Sequence, residues 1–153
     1  MRLLYGEYEL TVDEKNRCLV PAEIRKRIDP IEDGEAFFLV VGINGKPWMY
    51  PERYYETLVM RDPTEMTPEA DSLAFDQMNF AMASRLEWDK QGRVLIPDRT
   101  QKRTGLGREI TIIGVRDHLE LWNRSEWDAE REALVARSPE IAIRAKRLRQ
   151  QAE

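Results

Sequence analysis

One charged stretch of this chain occurs twice, with an offset of 76 residues between the two copies. The first copy is Asp13-Glu14-Lys15-Asn16-Arg17-Cys18-Leu19-Val20-Pro21, and the second is Asp89-Lys90-Gln91-Gly92-Arg93-Val94-Leu95-Ile96-Pro97. Asn16 and Gly92 occupy the same position, and Asn and Gly best tolerate the positive φ of a tight hairpin turn. Each copy is therefore predicted to form a strand, a tight turn that bears an arginine, and a returning strand.

The elements that follow the two turns also repeat in the same order. Pro21 and Pro97 each precede a short charged run, and proline suits the first position of a helix. Alternating and apolar runs predict strands at residues 7–12, 18–20, 37–41, 48–50, 83–88, 94–96, 109–115 and 119–122. Helices are predicted at 21–28, 51–59, 68–80, 98–104, 124–136 and after 138, with Thr67, Asn123 and Ser138 as caps. Four short strands bury little surface alone, so we expect both halves to pair their strands into one barrel-like sheet.

A segment with two prolines, residues 62–68, separates the two halves. We expect a first repeat with its helix at 1–62, a linker and helix at 63–82, a second repeat with its helix at 83–136, and a C-terminal helix at 137–153.

Charge is distributed unevenly along the chain. The formal net charge of −4 argues against a protein that binds nucleic acid through its overall charge. Residues 50–89 have three basic and nine acidic side chains, whereas residues 90–108 have six basic and one acidic. Residues 13–27 have five basic and three acidic side chains. Both turns therefore lie in or beside locally basic segments of an acidic protein, and we expect a bipolar surface.

Composition also limits the class of protein. The single cysteine, Cys18, excludes an internal disulfide, and with the single histidine, His118, a metal or nucleophilic catalytic site is hard to assemble. No apolar run reaches the roughly 18 residues of a membrane span, and residues 1–7 become acidic too early for a signal peptide. We therefore expect a cytoplasmic protein that is not an enzyme and that binds no cofactor, metal or small-molecule ligand.

Several phrases are specific enough for comparison with a known family. They are Leu4-Tyr5-Gly6, the two Asp-x-x-x-Arg turns, the phrase from Ala83 to Pro97, and Gly114-Val115 through Leu119-Glu120-Leu121-Trp122 followed by Trp127. In these features, over roughly residues 4–130, the chain resembles the MraZ family of bacterial transcriptional regulators. The resemblance implies an α+β fold, namely a pseudo-twofold, duplicated swapped-hairpin (AbrB-like) β-barrel with flanking helices, and assembly of several copies into a ring.

The resemblance also implies a function. Family members bind short repeated operator sites in double-stranded DNA, and the implied role here is a nucleoid-associated repressor of a division and cell-wall gene cluster. The family's DNA-facing residues are turn arginines, which correspond to Arg17 and Arg93. Asn16 stands where the family prefers glycine, and we expect this change to be tolerated because Asn reaches positive φ. The candidate DNA-binding residues are Lys15, Asn16, Arg17, Lys90, Gln91 and Arg93.

Other interpretations remain open at the sequence level. Each turn arginine has an aspartate four residues before it, and an ion pair between them would fix the turn without contacting DNA. The basic residues of the two short helices either line the DNA face or lie in solvent: Arg25, Lys26, Arg27, Arg99, Lys102 and Arg103. His118 is expected to face solvent in a turn, and Cys18 to pack in the core. The alternative function is an AbrB-fold interaction or assembly module without DNA binding, because an acidic surface suits basic partners.

Overall fold

The computed structural model describes residues 3–152 and shows eight strands and six helices within them. The strands are β1 (Leu4–Thr11), β2 (Arg17–Leu19), β3 (Ala36–Val41), β4 (Pro47–Pro51), β5 (Ser84–Glu87), β6 (Arg93–Leu95), β7 (Glu109–Arg116) and β8 (His118–Asn123). The helices are α1 (Ala22–Arg25), α2 (Glu52–Met60), α3 (Ala70–Ala81), α4 (Asp98–Thr104), α5 (Arg124–Ala136) and α6 (Ser138–Gln151). The expected α+β class is confirmed.

Local sequence explains where the helices begin and end. The bounds of α4 agree with the prediction at both ends, because Pro97 precedes the helix and Gly105 ends it in the left-handed conformation, φ 70°. The predicted start of α3 was wrong: Glu69 is extended, with ψ 152°, so the helix begins at Ala70 and not at Pro68. The expected cap of α6 was also wrong by one residue, since Arg137 is the N-cap.

The two halves exchange strands. The first strand of each half pairs antiparallel with the third strand of the other half, β1 with β7 and β5 with β3. The fourth strands of the two halves, β4 and β8, also pair with each other. The large sheet therefore has the order β1-β7-β8-β4-β3-β5, and neither half completes its sheet without the other.

The strand pairing gives an open sheet, which corrects the expected closed barrel. Among residues 3–152, β1 and β5 form the two edges of the six-stranded sheet. The second strands, β2 and β6, are only three residues long and pair with each other as a separate ribbon. Because they pair with each other, they do not join the two edges of the large sheet.

The core lies between the inner face of the sheet and the ribbon. Buried and partly buried residues alternate along β4, whereas β7 and β8 each contain four consecutive buried residues. Phe37 has no exposed surface and contacts Trp88 with ring centroids 5.4 Å apart. Cys18 is 1% exposed, so its expected packing in the core is confirmed, and burial raises the pKa of its thiol to about 12. The fully buried side chains come from both halves: Leu4, Val20, Ile24, Phe37, Met49, Ile96, Ile110, Ile112, Leu119 and Leu121.

Residues 124–152 form a second compact unit, built from α5 and α6. No helix among the described residues combines the length and the apolar character needed to cross a membrane.

His118 corrects a further expectation, because it is buried and not solvent-facing. Arg116 adopts φ 68°, so the chain turns at Arg116 and Asp117 and β8 already begins at His118. The imidazole is 6% exposed and stacks on the Trp48 ring, with centroids 4.0 Å apart. Its Nδ1 lies 2.8 Å from a carboxylate oxygen of Asp117, and its Nε2 lies 2.8 Å from one of Glu120. Both nitrogens face acceptors, which requires both to bear hydrogens, as in the imidazolium form.

The charges of this buried network support one another. Burial by itself would lower the pKa of His118, but the hydrogen bonds with Glu120 and Asp117 outweigh it and raise the pKa above the ordinary value of 6.5. Burial by itself would raise the pKa of Glu120. The hydrogen bonds from His118, Trp122 and Asn44 outweigh the effect of burial, so the pKa is lowered. The network is therefore one imidazolium between two carboxylates, a charged arrangement held beneath the aromatic rings of β4.

Candidate nucleic-acid interface

The first turn is held by Asp13. Its Oδ1 accepts hydrogen bonds from the backbone N–H groups of Lys15, at 2.9 Å, and Arg17, at 2.8 Å. The backbone N–H of Asn16 donates to the carbonyl of Asp13 at 3.0 Å, and Asn16 has φ 62°. Arg17 Nε donates to the other carboxylate oxygen at 2.8 Å. One aspartate thus closes the turn and orients the arginine, and asparagine occupies the left-handed position as expected.

The second turn has the same geometry. Asp89 Oδ1 accepts from the backbone N–H groups of Gln91 and Arg93, both at 2.9 Å, and Gly92 has φ 83°. Arg93 Nε donates to Asp89 Oδ2 at 2.9 Å, and its Nη2 donates to the Gln91 side-chain oxygen. Two segments with different residues at the turn tip therefore present an arginine in the same way.

The ion pair expected as the alternative for each arginine is present in both turns. The pKa of Asp13 is lowered, mainly by the hydrogen bond from the backbone N–H of Arg17 and also by the one from the Arg17 side chain. The corresponding hydrogen bonds from Arg93 lower the pKa of Asp89. The arginine side chains nevertheless remain 31% and 28% exposed. Each aspartate uses only Nε. Although Arg93 Nη2 also donates to Gln91, each guanidinium keeps further N–H groups that can donate to a base edge or a phosphate.

Pairing of β2 with β6 brings the two turns together. Arg17 lies across from Leu95, and Arg93 lies across from Leu19. The backbone N–H of Ile96 donates to the carbonyl of Asn16 at 2.8 Å, which ties the second ribbon strand to the first turn. The arginines are two ladder positions apart, roughly 7 Å along the ribbon, and both point to its outer face. The structure thus places the two turns, whose equivalent residues are 76 positions apart in sequence, at the two ends of one short ribbon, with both arginines on its outer face.

Two further arginines support the turns. Arg25 of α1 donates through Nε to the carbonyl of Val20 at 3.0 Å and lies against Gly92 of the second turn. Arg108 donates through Nη1 to the backbone carbonyl of Asp13 at 2.6 Å and lines a depression beside the first turn. The sequence analysis included Arg25 among the basic helix residues, but it missed Arg108, since no local pattern indicates a contact across 95 residues.

The other basic helix residues are not gathered at the turns. Arg27 lies over the Tyr5 ring, 3.9 Å from its centroid, and Arg99 donates to the Ser84 hydroxyl at 2.8 Å. Lys26 and Lys102 face acidic residues of their own helices, and Arg103 lines an apolar groove. Of these six residues, the contacts described here place only Arg25 against a turn.

Gly92→Ala is expected to destabilise the protein by about 2 kcal/mol, roughly twice the loss for Gly45→Ala. Both glycines have positive φ, which costs an alanine about 1 kcal/mol. A Cβ at Gly45 meets nothing within 4 Å, whereas one at Gly92 would lie 2.4 Å from the Arg25 guanidinium carbon. The new Cβ would displace the Arg25 side chain and break its hydrogen bond to the Val20 carbonyl, which contributes about 1 kcal/mol to stability. Urea unfolding of both variants measures the difference, and equal losses would show that Arg25 is not held against the turn.

Among the described residues, no group of three or more histidine, cysteine, aspartate or glutamate side chains is arranged to hold a metal ion. At the ribbon, Arg17 and Arg93 supply hydrogen-bond donors and positive charge.

Comparison with known proteins gives one consistent family. Residues 79–151 match a family model described as "MraZ protein, putative antitoxin-like". A relative from Heliobacterium modesticaldum, named "Transcriptional regulator MraZ", is 31% identical over 140 residues, which cover 92% of this chain and 94% of the relative. Relatives of the same name from Acetivibrio thermocellus and Thermomicrobium roseum are 33% and 32% identical over 83% and 93% of this chain, and over 85% and 96% of their own lengths. The names are those of transcriptional regulators and not of enzymes.

Proposed function

Because this chain belongs to the MraZ family, whose relatives compared above are named transcriptional regulators, we propose that it regulates transcription by binding double-stranded DNA. The proposed contacts are made by the two turns, with Arg17 and Arg93 reading base edges or phosphates. The turn-tip residues Lys15, Asn16, Lys90 and Gln91 contribute the surrounding backbone contacts.

One observation supports this proposal above the others: two turns with the same aspartate–arginine hydrogen bond present their arginines on the same face of one two-stranded ribbon. The major groove of B-form DNA is about 12 Å wide and admits a two-stranded ribbon. A partly exposed guanidinium offers a planar pair of donors, which matches the acceptor pair of guanine or two phosphate oxygens.

The finer description of the fold is part of the same proposal. The first strand of each half pairs with the third strand of the other half, and the second strands pair with each other. This exchange supports two duplicated swapped hairpins of the AbrB type related by a pseudo-twofold axis. The family resemblance supports a nucleoid-associated repressor whose target is a division and cell-wall gene cluster with repeated operator sites.

An exposed apolar surface supports self-assembly of several copies. All residues of α3 are partly or fully exposed, and its apolar residues include Phe75, at 59%, and Met78, at 52%. These two residues line a groove of about 860 Å³ together with Trp48 and Tyr50. Contiguous exposed apolar surface with aromatic and methionine residues is typical of protein interfaces. We propose that a second copy of the chain covers this groove, so that several ribbons bind repeated sites at once.

Phe75→Asp is expected to reduce the oligomer to smaller species. A carboxylate at a position that another copy covers loses its hydration without a partner, which opposes association by several kcal/mol. Light scattering coupled to size-exclusion chromatography measures the mass, and Met66→Asp, at a fully exposed position in the linker, is the matched control. A Phe75→Asp oligomer of wild-type mass would place the subunit contact elsewhere.

The proposed function is tested by DNA binding across a salt series. We expect the protein to retard a duplex from the region upstream of its own coding sequence, and to lose about 1000-fold in affinity between 50 and 200 mM salt. Such a loss reflects the release of counterions as basic side chains neutralise phosphates. If the protein fails to retard DNA even at low salt, the proposal is wrong, and an interaction module that uses the apolar groove and the acidic surface replaces it.

A further inference from the structure

The outer face of the β2–β6 ribbon contains two exposed leucines beside the two arginines. Leu19 is 41% exposed and Leu95 is 58% exposed, whereas Cys18 and Val94, on the opposite face, are each 1% exposed. The ladder pairs Leu19 with Arg93 and Leu95 with Arg17. Because directly opposed residues point to the same side of an antiparallel pair, the face consists of two arginine–leucine pairs.

Packing does not account for these leucines. They occur at the same position of both copies, although the buried residue before them changes from Cys18 to Val94. Single exposed apolar residues are ordinary on protein surfaces. Here, however, two equivalent leucines lie on either side of the ribbon axis, each within about 5.5 Å of an arginine at the Cβ atoms. The outer face of the ribbon therefore repeats one feature, an arginine directly across from a leucine.

We propose that Leu19 and Leu95 contact the C5-methyl groups of thymines in the major groove, so that the ribbon reads thymine beside the positions contacted by the arginines. The inference rests on the proposed binding of DNA by this ribbon. The positive charge of Arg17 and Arg93 directs the face toward the DNA backbone. Within the groove, the thymine methyl is the one apolar group that a base pair displays.

The proposed contact is selective for a physical reason. A leucine against a thymine methyl removes apolar surface of both groups from water. The same leucine against the amino group of cytosine or adenine would cover a polar group without replacing its hydrogen bond to water. Each leucine therefore favours thymine at its position and disfavours the polar alternatives.

The test uses uracil, which differs from thymine only by lacking the methyl group. The full-length protein is titrated against a fluorescent duplex amplified from the DNA upstream of its coding sequence, once with thymidine and once with deoxyuridine nucleotides. Wild type is expected to bind the uracil duplex about fourfold more weakly per methyl contact, which corresponds to ~0.8 kcal/mol. The double variant Leu19→Ala, Leu95→Ala is expected to bind the thymine duplex more weakly and to lose the preference for it. Leu148→Ala, at a position that is 60% exposed in α6, is expected to keep the wild-type preference.

The outcomes separate this inference from the proposed function. Wild type that binds both duplexes tightly and equally would overturn the thymine contact and leave DNA binding intact. Wild type that binds neither duplex at low salt would overturn both. A double variant that keeps the thymine preference, or that elutes as a smaller oligomer, would also overturn the inference, because the leucines would then contact no methyl group or would contact another copy of the chain.

Discussion

Alanine at both Arg17 and Arg93 is expected to weaken DNA binding about 100-fold or more, with little change in the unfolding temperature. Removal of one arginine contact to a base typically costs about 1–3 kcal/mol, and ~1.4 kcal/mol is a factor of ten in affinity. Each arginine forms an ion pair with its own aspartate, but the side chains are 31% and 28% exposed. Solvent-exposed ion pairs contribute only about 0–1 kcal/mol to stability. Fluorescence anisotropy with a labelled duplex and a thermal melt measure the two quantities separately.

Asp13→Ala distinguishes DNA contact from a purely structural role of the turn. The aspartate accepts two backbone hydrogen bonds, from Lys15 and Arg17, so its loss is expected to cost about 2 kcal/mol of stability. Arg17→Ala is expected to destabilise the protein less than Asp13→Ala does, and to weaken DNA binding more. If the two variants show the reverse order, the arginine fixes the turn and does not bind DNA. Arg61→Ala, at an exposed position of the same charge after α2, is expected to leave binding unchanged.

His118→Ala is expected to destabilise the protein by about 3–5 kcal/mol, the largest effect on stability that we predict. Removal of one partner from a buried ionic network leaves the others without compensation. Here the Glu120 carboxylate, which is 6% exposed, would lose its charged partner. The stacking contact with Trp48 would be lost as well. Since ordinary domains are stable by about 5–15 kcal/mol, urea unfolding should show a large shift of the midpoint.

The pH dependence of stability identifies the role of His118. Its pKa is raised in the folded protein, so its contribution is complete below the ordinary value of 6.5 and is lost as pH rises through the higher folded value. The pKa values of Asp117 and Glu120 are lowered from 3.8 and 4.5, so their contributions are complete above those values and are lost as pH falls. Between about pH 5 and 6.5 the network stabilises the fold most.

Urea unfolding at pH 6 and at pH 8.5 should therefore show that wild type loses stability at the higher pH. His118→Ala should lack this loss, because it has no imidazole to deprotonate. Glu120→Gln removes the carboxylate whose hydrogen bond contributes most to the raised pKa of His118, so it should show a smaller loss than wild type between the two pH values. Equal losses of stability in wild type and in His118→Ala would assign the pH dependence to other groups.

Much of the candidate site was predictable because its determinants are local. The aspartate, the turn residue and the arginine of each copy lie within five consecutive positions, and the turn closes through hydrogen bonds among them. The prediction of positive φ at Asn16 and Gly92 is confirmed, and so is the prediction that Gly105 ends α4. The DNA-binding role of these residues stays a prediction, as does the division into four segments.

The sequence by itself determined the repeated Asp-x-x-x-Arg motif, the two turns, most helix and strand positions and the family, because periodicity, turn chemistry and identity to relatives are read along the chain. Only the tertiary structure decided which strands pair, because each ladder joins segments from different halves. It therefore decided that the sheet is open, that Arg108 contacts Asp13, and that the two arginines share one ribbon face. It also decided that His118 is buried: a polar residue beside a turn is ordinarily exposed, but pairing of β8 with β4 brings the Trp48 and Tyr50 rings against the imidazole.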